Sequence, residues 1–427
     1  MSGPKGEALS IWIGDSHVGD LIHDPTRTNG TNGIRYTSEI KDTHPHGAIC
    51  LSASLPVSHE PPTKSATTVD NWLSGLLPEG AALTQLEERE QIQRGDTYSF
   101  LKRYGHDCAG AIVFLAAGET PDMKSQSPSE EIDLAEAISQ LPSFPITGDE
   151  EGQLSVGGFQ AKLLVTHRGD RLLRPQLNVP STHIYKPDPE RAAHQGLVVS
   201  EAIAMATLRE SAVRTATTEL IEVAGRPVLV VTRFDRQLDS GGVMKRVHQE
   251  HLCQAMGLAP SNKYQRSNGP SYQQLAETLV SHSDDPETDL LQLLRQVTAT
   301  VAVGNSDAHG CNYGLLIRDG ALQLSPAYDV ANTTAFLPKP ETGGHRVAME
   351  IGGKDRLFYV GRESLLAEAR TWGIPKRQAE ETIDETAQLM ADALPGVVSQ
   401  FDQWLGYGHV AEAVDYMQRH INRVRSA

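Results

Sequence analysis

Two acids and an amide stand close together late in this chain. Asp307 and Asn312 are five positions apart in Val303-Gly304-Asn305-Ser306-Asp307-Ala308-His309-Gly310-Cys311-Asn312, and Asp329 follows in Pro326-Ala327-Tyr328-Asp329-Val330. Phosphoryl transfer uses such a set. One Asp orients the attacking hydroxyl and accepts its proton, while an Asn oxygen and a second Asp hold magnesium on the phosphates. Magnesium prefers hard oxygen ligands and binds through few carboxylates plus phosphate. Asp-x-x-x-x-Asn with a later Asp is also the spacing of a protein kinase catalytic loop. Taken alone, these ten residues equally describe a helix end followed by polar turns, where Asp and Asn are common.

The elements that must position these groups can be read around them. An apolar helical run, roughly Leu290 to Val303, leads into the motif, and Gly304 and Asn305 break it. Upstream, residues 154–165 read as strand, tight turn, strand, with Ser155-Val156-Gly157-Gly158 at the turn. Adjacent glycines let backbone N–H groups approach phosphate, although a plain hairpin carries the same signature. Ser181 to Pro187 reads as a strand that carries Lys186, where a kinase places its phosphate-pairing lysine; an edge-strand lysine in solvent is the plainer reading. A helix over Gly196–Glu210 presents Glu201, which can pair with Lys186. Glu219–Val223 and Pro227–Val231 form a hairpin around Ala224-Gly225-Arg226. It runs into Thr232-Arg233-Phe234-Asp235-Arg236, a crossover suited to adenine recognition in a cleft. Each match is common by itself; their order is that of a bilobal kinase.

The rest of the chain frames this reading. Its 427 residues suffice for two or three domains. Thirty-eight basic against 54 acidic side chains give a formal charge of −16, which argues against a large nucleic-acid footprint by the chain itself. Cys50, Cys108, Cys253 and Cys311 are far apart without metal-type spacing, so reduced thiols are expected. The first residues lack an apolar signal core, and no run reaches the ~18 apolar residues of a membrane span; a cytoplasmic protein is expected. Residues 9–22 read as a hairpin around Gly14-Asp15, 33–40 and 48–56 as strands, and 67–80, 83–93 and 97–104 as helices. Helices are also expected over 248–256, 272–281, 288–303, 362–372, 376–393, 396–404 and 409–420, with short strands at 321–325 and 346–351. Three regions result: an N-terminal α+β subdomain, 1–145; a β-rich lobe with the glycine loop, 146–236; and a mostly helical lobe with the catalytic loop, 237–427.

The chain resembles the HipA family of serine/threonine kinases, the toxins of type II toxin–antitoxin systems. The resemblance runs over nearly the whole length. It is carried by Leu51–Pro56, Leu76–Glu79 and Asp107–Ala111, then by Ser155–Lys162, Thr182–Lys186, Arg233–Arg236, His248–Glu250 with Cys253–Ala255, Gly304–His309, Asn312 and Ser325–Val330. Gly-Asn-x-Asp-Ala-His and Pro-Ala-Tyr-Asp are its most specific strings. The resemblance implies an α+β, bilobal protein-kinase-like fold using ATP and Mg2+. It implies that Asp307 is the catalytic base, that Lys186 pairs the α/β-phosphates and that Asn312 and Asp329 bind magnesium. Arg233, Phe234 and His309 would line the nucleotide site, and Ser155 would be the glycine-loop serine that the family autophosphorylates. It further implies an aminoacyl-tRNA synthetase as protein substrate, a helix-turn-helix antitoxin (HipB-like) as partner, and DNA contact mainly through that partner. Ser306 stands where the family usually has Thr, and Thr232 where it has Glu. An inactive kinase-fold co-repressor, or a kinase of an unrelated substrate, is the alternative.

Overall fold

The computed structural model of the chain describes residues 7–24, 31–58, 66–78, 81–121, 130–141, 162–176, 179–241, 244–337 and 345–425. The expected glycine loop with Ser155, Val156, Gly157 and Gly158 lies outside them. Two compact units account for the chain. The first holds Met1–His183, Asp235–Ser261 and Leu316–Ala321; the second holds Ile184–Phe234, Asn262–Leu315 and Leu322–Ala427. This partition by contact cuts the chain differently from the three regions drawn along the sequence.

The first unit opens with a hairpin of β1 (Glu7–Ile13) and β2 (Ser16–Asp24). Ile13 faces Ser16 across the two-residue turn Gly14-Asp15, with Gly14 at φ 58°. Next comes β3 (Thr31–Tyr36), shorter than the strand expected over 33–40. The Thr37 hydroxyl accepts from the Ile40 N–H and starts the short helix α1 (Ser38–Thr43) instead. Helices α2 (Ala66–Ser74), α3 (Ala81–Arg89) and α4 (Thr97–Tyr104) precede β4 (Ile112–Ala116), which completes a sheet ordered β3-β2-β1-β4. Its core buries Leu9, Ile11, Leu21 and Phe114 of the sheet with Trp72, Leu73, Phe100 and Leu101 of the helices. Such side chains each contribute about 1.5–3 kcal/mol when buried. A short helix α5 (Leu134–Ser139) leads to the hairpin β5 (Leu163–Arg168) and β6 (Arg171–Leu173).

The chain passes into the second unit within β7 (His183–Pro187). Helix α6 (Leu197–Arg209) follows, then the hairpin β8 (Thr218–Val223) and β9 (Arg226–Thr232), with strand order β7-β9-β8. The path then returns to the first unit through β10 (Arg236–Leu238), β11 (Met244–Arg246), β12 (Gln249–His251) and α7 (Leu252–Ala255). The helix expected over 248–256 is thus one short turn. The first residues of that span pair instead with the strand Gly314–Arg318, the Ile317 N–H donating to the His248 carbonyl at 2.9 Å. The Glu250 carboxylate accepts from Ser52 Oγ at 2.5 Å and the Ala53 N–H at 2.9 Å. Residues 48–56 are not a strand. Local turns take up backbone groups there (Val57 N–H to Ala48 carbonyl, Leu55 N–H to Ser52 carbonyl), Glu250 holds Ser52 and Ala53, and one isolated bridge joins Ser52 and Leu55.

Helices dominate the remainder of the second unit: α8 (Tyr272–His282) and α9 (Pro286–Val303), then, beyond β13 (Gly314–Arg318), β14 (Ala321–Leu324), β15 (Arg346–Ile351) and β16 (Lys354–Arg356), α10 (Arg362–Thr371), α11 (Lys376–Gln400) and α12 (Val410–Arg425). Helix α11 runs unbroken through Pro395, joining two helices that the sequence appeared to separate. Helix α9 packs against α8, α11 and α12. Asp285 caps its start, and everything from Gln296 to Val303 is buried.

Candidate active site

Helix α9 ends at Gly304, whose φ of 83° only glycine adopts without strain. The site begins there. A Cβ on Gly304 would lie 2.7 Å from both Asn332 Nδ2 and His420 Nδ1, so space also demands glycine. The fully buried Asn332 donates to the Val303 carbonyl at 2.8 Å and accepts from the Ala335 N–H at 3.0 Å. It pins the helix end to the chain beyond Asp329.

The following loop is held bond by bond. The Ser306 N–H donates to Thr333 Oγ1 at 2.8 Å, and the two hydroxyls share a 2.9 Å bond. The Asp307 N–H donates to Asn305 Oδ1 at 2.9 Å. The Asp307 carbonyl accepts from the His309 N–H at 2.8 Å and from Asn312 Nδ2 at 3.3 Å. Asn305, Ser306, Ala308, His309 and Gly310 are buried, yet Asp307 between them is exposed. A turn built this way presents one carboxylate to solvent on a rigid frame. That carboxylate is not alone, because Tyr264 Oη donates to its Oδ1 at 2.8 Å.

Asp329 is the second exposed acid in a buried stretch. It sits at φ 59°, a left-handed conformation that costs an ordinary side chain energy and that clusters at functional sites. Its turn is tied to the Asn312 turn through Tyr328, whose hydroxyl donates to the Cys311 carbonyl at 2.9 Å. The Phe234 ring packs on Tyr328 with centroids 5.6 Å apart. The residues expected to serve adenine and magnesium therefore share one packed arrangement.

Lys186 on β7 and Glu201 on α6 meet, as their order along the chain suggests. Lys186 Nζ donates to Glu201 Oε1 at 2.7 Å and to Asp329 Oδ1 at 2.6 Å. The Lys186 and Glu201 side chains are only 6% and 4% exposed, whereas that of Asp329 is 44% exposed. Burial by itself would lower the Lys186 pKa, but the Asp329 and Glu201 carboxylates outweigh it and raise the pKa above the usual lysine value. The lysine is thus a fixed cation held between two elements. Arg233 is buried, as is His309, whose ring meets the Tyr264 ring edge-on at 5.4 Å. Every residue of this set lies in the second unit.

For a hard divalent cation the donor chemistry fits. Asn312 and Asp329 offer oxygens on turns bound to each other, and the Asp329 carboxylate is partly open to solvent. Tyr264 was not legible in the sequence. It lies 43 positions before Asp307 in an ordinary polar segment, and no spacing rule links the two.

Comparison with known proteins bears on what such a site does. The chain matches the model of the HipA-like C-terminal domain over residues 154–394 and that of the HipA N-terminal domain over residues 9–115. It is 31% identical over 419 residues to a Sinorhizobium fredii protein named "Putative kinase Y4mE", covering 95% of this chain and 96% of that one. It is 26% identical to the Shewanella oneidensis "Serine/threonine-protein kinase toxin HipA", covering 93% and 91%. Among solved structures, Shewanella oneidensis HipA in complex with HipB and operator DNA superposes with a TM-score of 0.80 at 24% identity, covering 98% of this chain and 99% of that one. The fold is shared from end to end.

Proposed function

Because the chain belongs to the HipA family of kinases, we propose that it is a serine/threonine protein kinase that moves the γ-phosphate of ATP to a protein serine. The observation that carries this reading is Lys186, buried between Glu201 and Asp329. A lysine on a strand paired to a helix glutamate is what a kinase needs to hold the α/β-phosphates. Asp307 is the catalytic base: its exposed carboxylate takes the proton as the serine oxygen attacks phosphorus and the bond to the β-phosphate oxygen breaks. Asn312 and Asp329 would hold Mg2+, which would supply positive charge against the phosphates. Arg233, Phe234 and His309 would complete the nucleotide site.

The finer reading rests on the same base. The protein would be a toxin that arrests translation by phosphorylating an aminoacyl-tRNA synthetase. A small helix-turn-helix antitoxin would restrain it and carry the pair onto DNA. The related Shewanella HipA was solved with HipB and operator DNA. No described helix is long and apolar enough to cross a membrane, in keeping with a cytoplasmic role. Ser155 would be the site of autophosphorylation. A phosphoserine carries about −1.5 to −2 charge, so beside ATP it would repel the phosphates and silence the enzyme.

The test is transfer of labelled phosphate from Mg-ATP by the purified chain, alone and with a cytosolic extract. Asp307→Gln should lose about 10²–10⁴-fold in rate, the usual contribution of a positioned base, while still binding ATP. Equal transfer by wild type and variant would overturn the assignment.

A further inference from the structure

We propose that Tyr264 is a positioning residue for the Asp307 base: it holds one carboxylate oxygen so that the other faces the incoming serine. The inference rests on the kinase reading above. Tyr264 Oη donates to Asp307 Oδ1 at 2.8 Å. A carboxylate on a loop can rotate about its last bond, and a base that rotates meets the acceptor hydroxyl in the wrong orientation. A fixed donor on Oδ1 removes that freedom and leaves Oδ2 as the acceptor for the serine proton.

The phenol is itself held from several sides. Its ring meets His309, two residues after Asp307, edge-on. The Arg266 guanidinium lies 4.8 Å and Lys263 Nζ 5.8 Å from its centroid, both within cation–π reach. The backbone is also fixed. The Gly310 N–H donates to the Lys263 carbonyl at 3.0 Å, which joins the Tyr264 segment directly to the catalytic loop. Ser267 and Gly269 both donate to the Tyr264 carbonyl, at 2.8 and 3.0 Å. Gly269 admits no side chain, since a Cβ would stand 2.1 Å from the Asn262 carbonyl oxygen. The turn is closed on itself, and from it Tyr264 reaches the base. A residue that served only to fill space would not need its hydroxyl on the carboxylate.

The experiment uses the full chain and the variant Tyr264→Phe, with casein as a generic protein acceptor and a fluorescent ATP analogue for nucleotide affinity. Phe keeps the ring and its cation and His309 contacts and removes only the hydroxyl. The expected result is a fall in kcat of about tenfold, the order of one charge-assisted hydrogen bond, with the KM for ATP and analogue affinity within twofold of wild type. Tyr264→Ala should lose as much kcat and melt earlier. Wild-type kcat in Tyr264→Phe would overturn the proposal. So would a rise in rate, which would make Tyr264 a plug occupying the substrate hydroxyl's place. A thermal double-mutant cycle between Tyr264→Phe and Asp307→Ala separates this from the kinase reading, because it needs no activity. Non-additive melting shifts are expected, and additive shifts would remove the contact itself. A wild-type chain that transfers no phosphate while the cycle remains non-additive would fail the kinase reading and not the Tyr264–Asp307 bond.

Discussion

Lys186 is a buried cation held by two carboxylates. Removing it as Lys186→Met leaves the buried Glu201 carboxylate without its cation, and breaking a buried pair from one side costs about 3–5 kcal/mol. Asp329, 44% exposed, should add little to that loss because water screens it. The variant should therefore melt several degrees earlier and transfer no measurable phosphate; calorimetry and the labelled-phosphate assay read both. The pH dependence has a definite sign. The folded-state pKa of Lys186 is raised, so its contribution is complete below the unfolded lysine value of about 10.4 and declines only as pH climbs toward the raised value. The difference in melting temperature between wild type and Lys186→Met should thus be flat from pH 6 to 9. A difference that shrinks across that range would show that the pair is not a fixed ion pair.

Helix α9 and its glycine end decide where Asp307 stands. Gly304→Ala would force a side chain into a positive-φ position and against Asn332 and His420. It should cost at least about 1–2 kcal/mol and depress kcat more than the KM for ATP, since the displaced element carries Asp307, the proposed base. A variant with wild-type melting and kcat would show that the loop is positioned by something else. Elements like this one were legible because the information is local: an apolar run and a glycine at the end. The same holds for the turns at Gly14-Asp15 and Ala224-Gly225 and for the helix carrying Glu201. Residues 48–56 and 248–256 misled for the opposite reason. Their bonds run to distant parts of the chain: Glu250 to Ser52 and Ala53, about 200 positions away, and His248 to Ile317 in a paired strand. The site divides in the same way. Asp307, Asn312 and Asp329 announce themselves by spacing and Lys186 with Glu201 by order, whereas Tyr264 is found only when the chain is folded.

At the scale of the whole molecule, charge and connectivity matter more than any single contact. A chain with a formal charge of −16 is repelled by phosphate backbones. The purified chain alone should leave a random DNA duplex unretarded at about 0.15 M salt. A clear mobility shift by the chain alone would contradict assigning DNA contact to a partner. Connectivity has a different effect. The first unit needs Asp235–Ser261 and Leu316–Ala321 as well as the N-terminal stretch, so the path leaves that unit at residue 183 and returns to it last at 316. At a synthesis rate of about 5–20 residues per second, a nascent chain waits on the order of ten seconds between those points. Through the first half of that interval β12 does not yet exist and the Ser52–Ser54 turn has no Glu250 to close on; the 316–321 tip arrives last. A ribosome that stalls before residue 307 leaves a fragment without Asp307, the proposed base, so an interrupted message should yield no partly active kinase.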